Sequence, residues 1–95
     1  MSTTVQKGIY MFWETREGYY YNLDKVFSIF IDKMTEDNSP VFEKGFKVCG
    51  LLFDGSEIRN ITLWWEVAED CSDEAEILIQ NKLQEIIKFQ NYKGN

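Results

Sequence analysis

The plainest alternation of apolar and polar positions runs over residues 46–67, FKVCGLLFDGSEIRNITLWWEV, where two β-rich runs meet at Asp54-Gly55. An Asp-Gly pair in that setting supplies the positive φ angles of a type I′ hairpin, so Phe53 and Ser56 are predicted to close the turn. Counting outward pairs Leu51 with Ile58, Val48 with Ile61 and Phe46 with Leu63. One face then carries Phe46, Val48, Leu52, Ile61, Leu63, Trp65 and Val67. The other carries Lys47, Cys49, Leu51, Ile58, Asn60, Thr62, Trp64 and Glu66. The first face is the more apolar and is the expected core. A four-residue loop would move the pairs and keep the faces.

Upstream, residues 5–14 read as one strand apolar on both sides, with Ile9, Met11 and Trp13 alternating against Tyr10, Phe12 and Glu14. Thr15-Arg16-Glu17-Gly18 reads as a turn, after which Tyr19, Tyr20 and Tyr21 pair back as a short strand. The spacing then changes. Leu23, Val26, Phe27, Phe30, Ile31 and Met34 fall at i, i+3, i+4, i+7, i+8 and i+11, which predicts an amphipathic helix capped by Asn22 and ended by residues 36–40 before and at Pro40. Ile29 lies off this stripe. Gly45 is placed as a bulge at the hairpin entrance.

Past Val67, the positions Ala75, Leu78, Ile79, Leu83, Ile86 and Ile87 predict a second amphipathic helix. Acids crowd its first turn and Lys82 and Lys88 lie later, as the helix dipole favours. Asp70, Ser72 or Asp73 supplies the cap, and Asp73 with Glu76 resembles a capping box. The expected fold is α+β with two layers: an antiparallel or mixed sheet of three or four strands and two helices on one face, in the order β-(β)-α-β-β-α. A split βαβ fold would need a strand after the last helix.

With 95 residues, 44% of them hydrophobic and 16% aromatic, residues 1–95 are expected to form a single domain. Pro40 is the only proline, and neither repeats nor low-complexity stretches interrupt the chain. The first residues lack the basic and apolar parts of a secretory signal, and no apolar run approaches the ~20 residues of a membrane span. The expected location is the cytoplasm. Cys71 falls about eleven positions beyond Asn60, the cross-strand partner of Cys49, too far for a disulfide at ~3.3 Å per residue, so both thiols are expected to be reduced.

Charge alters the picture more than composition does. The net charge is -6, which opposes binding to nucleic-acid phosphates. Residues 66–76 hold Glu66, Glu69, Asp70, Asp73, Glu74 and Glu76 and no base; the rest of the chain has ten acids and ten bases, so the excess comes from this segment. With no histidine, the chain cannot build a Ser-His or Cys-His triad, and two distant cysteines are too few for zinc. No glycine-rich phosphate loop is present. A calcium-loop reading of the acidic segment fails, because Ala75 and Asn81 stand where glycine and a bidentate glutamate are required. No catalytic residue, metal or cofactor is therefore expected.

Two readings of the acidic segment remain: a solvated helix start and a docking surface. Trp64 and Trp65 are adjacent in a strand and point to opposite faces, so burying Trp65 leaves Trp64 on the second face beside Leu51 and Ile58, an apolar patch of the kind that marks interaction sites. These features together predict a small acidic intracellular binding protein that inhibits or masks a basic protein partner, in the manner of immunity proteins, antitoxins and phage counter-defence proteins. Its expected contact residues are Trp64, Glu66, Glu69, Asp70, Asp73, Glu74, Glu76, Leu51 and Ile58. The alternative is a homodimer, other homo-oligomer or subunit of a larger assembly with the aromatic sheet face as its interface. Nucleic acid and membrane are not expected partners.

Overall fold

The computed structural model describes residues 4–7, 10–68 and 73–92, with side-chain surroundings given for 12–68 and 73–92. Strands β1 (Thr4–Lys7), β2 (Tyr10–Glu14) and β3 (Tyr20–Asn22) form one antiparallel meander, and β4 (Val26–Met34), β5 (Gly45–Asp54) and β6 (Glu57–Val67) form another. A single 3₁₀ turn, Leu23–Lys25, links them, and one helix, α1 (Asp73–Asn91), follows. The layout expected from the sequence is thus corrected: the described residues form two three-stranded antiparallel sheets and one helix, not one sheet carrying two helices.

The largest correction concerns residues 23–34. Asn22 does cap a helical turn, its Oδ1 accepting the Asp24 N–H at 3.0 Å, but the turn stops at Lys25 and β4 begins. The segment is rich in β-branched and aromatic residues, which suit a half-buried strand with a partner beside it. Ile29 pairs with Gly50 and Ile31 with Val48, so the residue left off the helical stripe faces the core. A bulge between Val26 and Ser28 inserts Phe27, placing Val26 and Ile29 on one face three positions apart. The helical stripe arises from counting inward Val26 and Ile31 and outward Phe27, Phe30 and Met34 as one face.

Residues read as one first strand belong to two, paired antiparallel with Lys7 opposite Tyr10. The turn at 15–18 and the pairing of the tyrosine segment hold: Thr15 N–H donates to the Tyr19 carbonyl at 2.7 Å, Gly18 adopts φ +94°, and Trp13 lies opposite Tyr21.

In the central hairpin the two-residue loop is Gly55-Ser56, closed by Asp54 and Glu57. Among the described residues only Gly55, Gly18 and Phe42 have positive φ, so glycine at the first loop position and an ordinary Ser56 give a type II′ turn. Leu51 accordingly pairs with Asn60, not Ile58, a shift of two that preserves the faces. They hold only as far as Cys49, which pairs with Thr62. Val48 then pairs with Trp64, so Leu63 is the extra residue of a bulge and every later side chain of β6 changes face.

The core gathers Trp13, Leu23, Val26, Val48, Leu52, Ile61, Leu63, Ile79 and Ile86, with Tyr21, Ile29, Ile31, Phe46, Trp64, Leu83 and Phe89 packed around it. Helix α1 lies over β4, β5 and β6. It buries Ala75, Ile79 and Ile86, whereas Leu78, placed on the buried stripe by its spacing, is 50% exposed. Its far end is tied down by Gln90, whose Nε2 donates to the carbonyls of Leu23 at 3.0 Å and Val26 at 2.7 Å. The opposite face of the second sheet is covered near Met34 by the 35–44 loop, whose Asn38 carbonyl accepts from the buried Lys47 Nζ at 2.9 Å.

Gly45 is not a bulge; it pairs with both Met34 and Val67, and a methyl group there would strike the Glu66 carbonyl oxygen. Because the obstacle is backbone, Gly45→Ala is expected to cost about 1 to 3 kcal/mol of folding stability in urea titrations.

Candidate functional site

The described residues expected at a single interface fall in three places, and the β6 bulge accounts for Trp64 and Glu66. Trp64 turns inward, toward α1, where it packs against the core; its ring centroid lies 6.5 Å from that of Trp13 and Lys82 Nζ sits 4.2 Å above it. Trp65 turns to the outer face and is not part of the core cluster, so the two tryptophans exchange the faces expected of them. The reason is the extra residue: alternation alone does not reveal a bulge.

Trp13 organises this region. It is fully buried, its indole Nε1 donates to the Leu63 carbonyl at 3.0 Å, and its ring rests 5.7 Å from Phe89 of α1. Two positions downstream of β2, Arg16 reaches the same strand edge, its Nη1 donating to the Trp65 carbonyl at 2.8 Å and to Glu66 Oε1 at 3.2 Å. The guanidinium also stands 4.4 Å from the Trp65 ring centre. Glu66 accepts a further bond from Trp64 Nε1 at 3.0 Å through its second oxygen. It is therefore a neutralised structural carboxylate and not part of a free acidic surface.

Of the other expected acids, Asp73, Glu74 and Glu76 are exposed on the first turn of α1, where the helix dipole favours them. Glu69 and Asp70 lie outside the described residues, as do Cys71 and Ser72. No cluster of three or more metal-ligating side chains occurs among the described residues.

Leu51 and Ile58 do lie together on the outer face, opposite α1. There they join Phe53, directly across from Ile58, Phe30 of β4, and Phe27, the extra residue of the β4 bulge beside Leu51. Phe27 is 58% exposed, Phe53 53% and Ile58 62%. This apolar patch sits at the hairpin tip, beside the carboxylates Asp54 and Glu57. The helix begins after Val67 and ends at Leu23 and Val26, so its acidic start lies at the opposite end of the sheet. The structure brings the apolar pair together with Phe27 and Phe53, which the sequence reading missed, and separates it from Trp64 and the acids. Phe53 was legible as an apolar neighbour of Leu51 on the same face; Phe27 was absorbed into the helical stripe.

A groove of about 400 Å³ runs along the outer edge of β6. It is lined by Glu17, Tyr19 and Tyr21, by Asp37 to Pro40 of the 35–44 loop and by residues 59–62 of β6. Arg59 is engaged by Asp54, Nη1 to Oδ2 at 3.5 Å.

Cys49 is buried on the outer face and free. Burial pushes its thiol up from an ordinary value near 9 to about 11, opposed by the Lys47 ammonium and assisted by Asp32. The folded chain thus holds its proton where the unfolded chain releases it. Stability from this group is complete below pH 9 and is lost as pH rises toward 11, by roughly 1 to 3 kcal/mol, and Cys49→Ala is expected to remove that slope from denaturant titrations run across the interval.

A second contrast is set by two indoles. Trp13→Phe strands a buried carbonyl and should cost about 1 to 3 kcal/mol, whereas Trp65 Nε1 is buried without an acceptor among the described residues, so Trp65→Phe should be near neutral or stabilising by up to about 1 kcal/mol in thermal unfolding.

No protein-family model, curated protein or solved structure matches the chain, and the functional reading rests on the geometry and chemistry above.

Proposed function

We propose that this chain acts by contact, as a small acidic binding protein that inhibits or masks a basic protein partner. The observation that carries the reading is the outer apolar patch of Phe27, Phe53 and Ile58 at the hairpin tip. Three large apolar side chains more than half exposed on one small sheet face are costly to keep in water, and such patches characterise interaction surfaces.

The sign of the partner follows from charge. Sixteen acids face ten bases. Several bases are engaged within the fold: Arg16 with Glu66, Arg59 with Asp54, Lys82 with Glu85 and Lys47 with the Asn38 carbonyl. Asp73, Glu74 and Glu76 remain exposed. A basic partner would be steered by this field and held by the apolar patch, with charge governing association rate and apolar burial governing residence. No described helix is long and apolar enough to cross a membrane. The free thiol of Cys49 supports a cytoplasmic location.

The test uses Phe53→Ser/Ile58→Ser, which alters exposed side chains and should leave the fold intact. Affinity capture with the native chain and the double variant in parallel, followed by calorimetric titration of the recovered partner at low and high salt, should give about thirtyfold weaker binding for the variant and salt-sensitive association for both. Equal affinities would overturn the reading. Self-association of the native chain in sedimentation experiments, abolished by the same variant, would replace it with the homo-oligomer alternative.

A further inference from the structure

Strand β6 is an edge strand, and its outer edge is capped over only half its length. The two-residue loop Gly55-Ser56 makes Asp54 and Glu57 a hydrogen-bonded pair, so Glu57, Arg59 and Ile61 turn their backbone groups toward β5. The N–H and C=O groups of Ile58, Asn60 and Thr62 turn away from it. At the Leu63 bulge the phase changes, and the outward carbonyls are those of Leu63 and Trp65. Both are occupied, by Trp13 Nε1 and Arg16 Nη1. The outward groups of Ile58, Asn60 and Thr62 have no hydrogen-bond partner among the described residues, and the groove lined by Tyr19, Tyr21 and residues 37–40 takes in Asn60 and Thr62, with Ile58 next along the strand.

We infer that this groove takes an extended polypeptide segment of another protein, bearing a basic side chain, as an added strand on β6 between Ile58 and Thr62. An unpaired edge specifies its occupant, because only an extended backbone matches alternating donors and acceptors along about five residues, or ~17 Å. The tyrosines and Pro40 supply apolar walls for alternate side chains. Glu17 and Asp37 both line the groove, while its one arginine is engaged by Asp54, so the site favours lysine or arginine. A second copy of this chain is disfavoured, since its matching groove would bring acid against acid in a molecule of net charge -6. The inference rests on the proposed function only in taking the partner to be a protein, and the edge is distinct from the outer apolar patch.

The probe is an end-blocked octapeptide of alternating lysine and valine, with its fully backbone N-methylated form as control. Titration followed by amide NMR should shift Ile58, Asn60 and Thr62 saturably and slow their hydrogen exchange by about tenfold or more. The N-methylated form should do neither. Asn60→Pro removes one outward donor without touching the ladder to β5 and should weaken peptide binding by about tenfold. Glu17→Gln/Asp37→Asn should weaken it several-fold and flatten its salt dependence. The inference is overturned if the three amides stay unshifted up to the peptide's solubility limit or if the N-methylated form binds equally. It is also overturned if the same amides become protected with protein concentration alone, which would mean self-pairing. Unshifted amides together with partner binding lost in Phe53→Ser/Ile58→Ser would remove the strand-addition inference and leave the outer-face reading. Edge binding with partner affinity unchanged in that variant would do the reverse.

Discussion

The hydrogen bond from the Trp13 indole to the Leu63 carbonyl is the constraint on which the rest of the structure depends. A bulge in β6 points that carbonyl away from the ladder, and a buried carbonyl without a donor would cost about 1 to 3 kcal/mol. Trp13 meets the need from a different sheet and fills the space beneath α1 with its ring. Once the indole is fixed, the end of β2 and the turn after it stand beside β6. Arg16 is thereby delivered to the next outward carbonyl, at Trp65. The two sheets and the helix meet at one side chain, and the same bulge that demands the bond also turns Trp64 inward to pack beside it.

How far this was legible in the sequence depends on how local each signal is. Gly55 marked the hairpin turn because one positive φ requires it, although the loop is Gly55-Ser56 and not Asp54-Gly55. Helix α1 was legible from Ala75, Ile79 and Ile86, whose spacing permits no strand reading. Asn22 was read correctly as a cap but not the length of what it caps. Strand β4 was missed because it is apolar on both faces: Val26 and Ile31 point inward and Phe27, Phe30 and Met34 outward, and pooled together they fall at helical spacings, while the β-branched and aromatic composition of the segment argued for a strand. Trp64 and Trp65 were reversed for the related reason that alternation carries no mark of where a bulge resets it. Of the candidate site, Leu51 and Ile58 were found by face counting. Phe27 and the free edge of β6 were not, since the first follows from a bulge and the second from the strand order and the register of the two-residue loop.

The acidic segment shows how far a charge count is from a charge distribution. Glu66 is consumed internally by Arg16 and Trp64, and Asp73, Glu74 and Glu76 stabilise the start of α1 through its dipole. Those last three still contribute to the field outside the molecule, because a helix terminus offers partial charges and not a neutralising base. Structural and functional roles are therefore compatible for them. For Glu66 they are not: both its oxygens are bonded inside the fold.

The two unguarded features of the second sheet lie at the same end. Near Met34 the outer face is covered by the 35–44 loop, and at Leu63 and Trp65 the edge is capped by side chains from β2 and its turn. Toward the hairpin tip neither protection continues: Phe27, Phe53 and Ile58 are exposed on the face, and Ile58, Asn60 and Thr62 present backbone groups along the edge that are unpaired among the described residues. Edge strands and apolar faces left open together favour aggregation unless charge opposes self-contact. Asp54 and Glu57 at the tip, Glu17 and Asp37 at the groove and a net charge of -6 supply that opposition. Repulsion of this kind acts against copies of the same chain and not against a basic protein. Acidic charge at the exposed end thus opposes contact with a second copy of the chain more than contact with a partner of opposite sign.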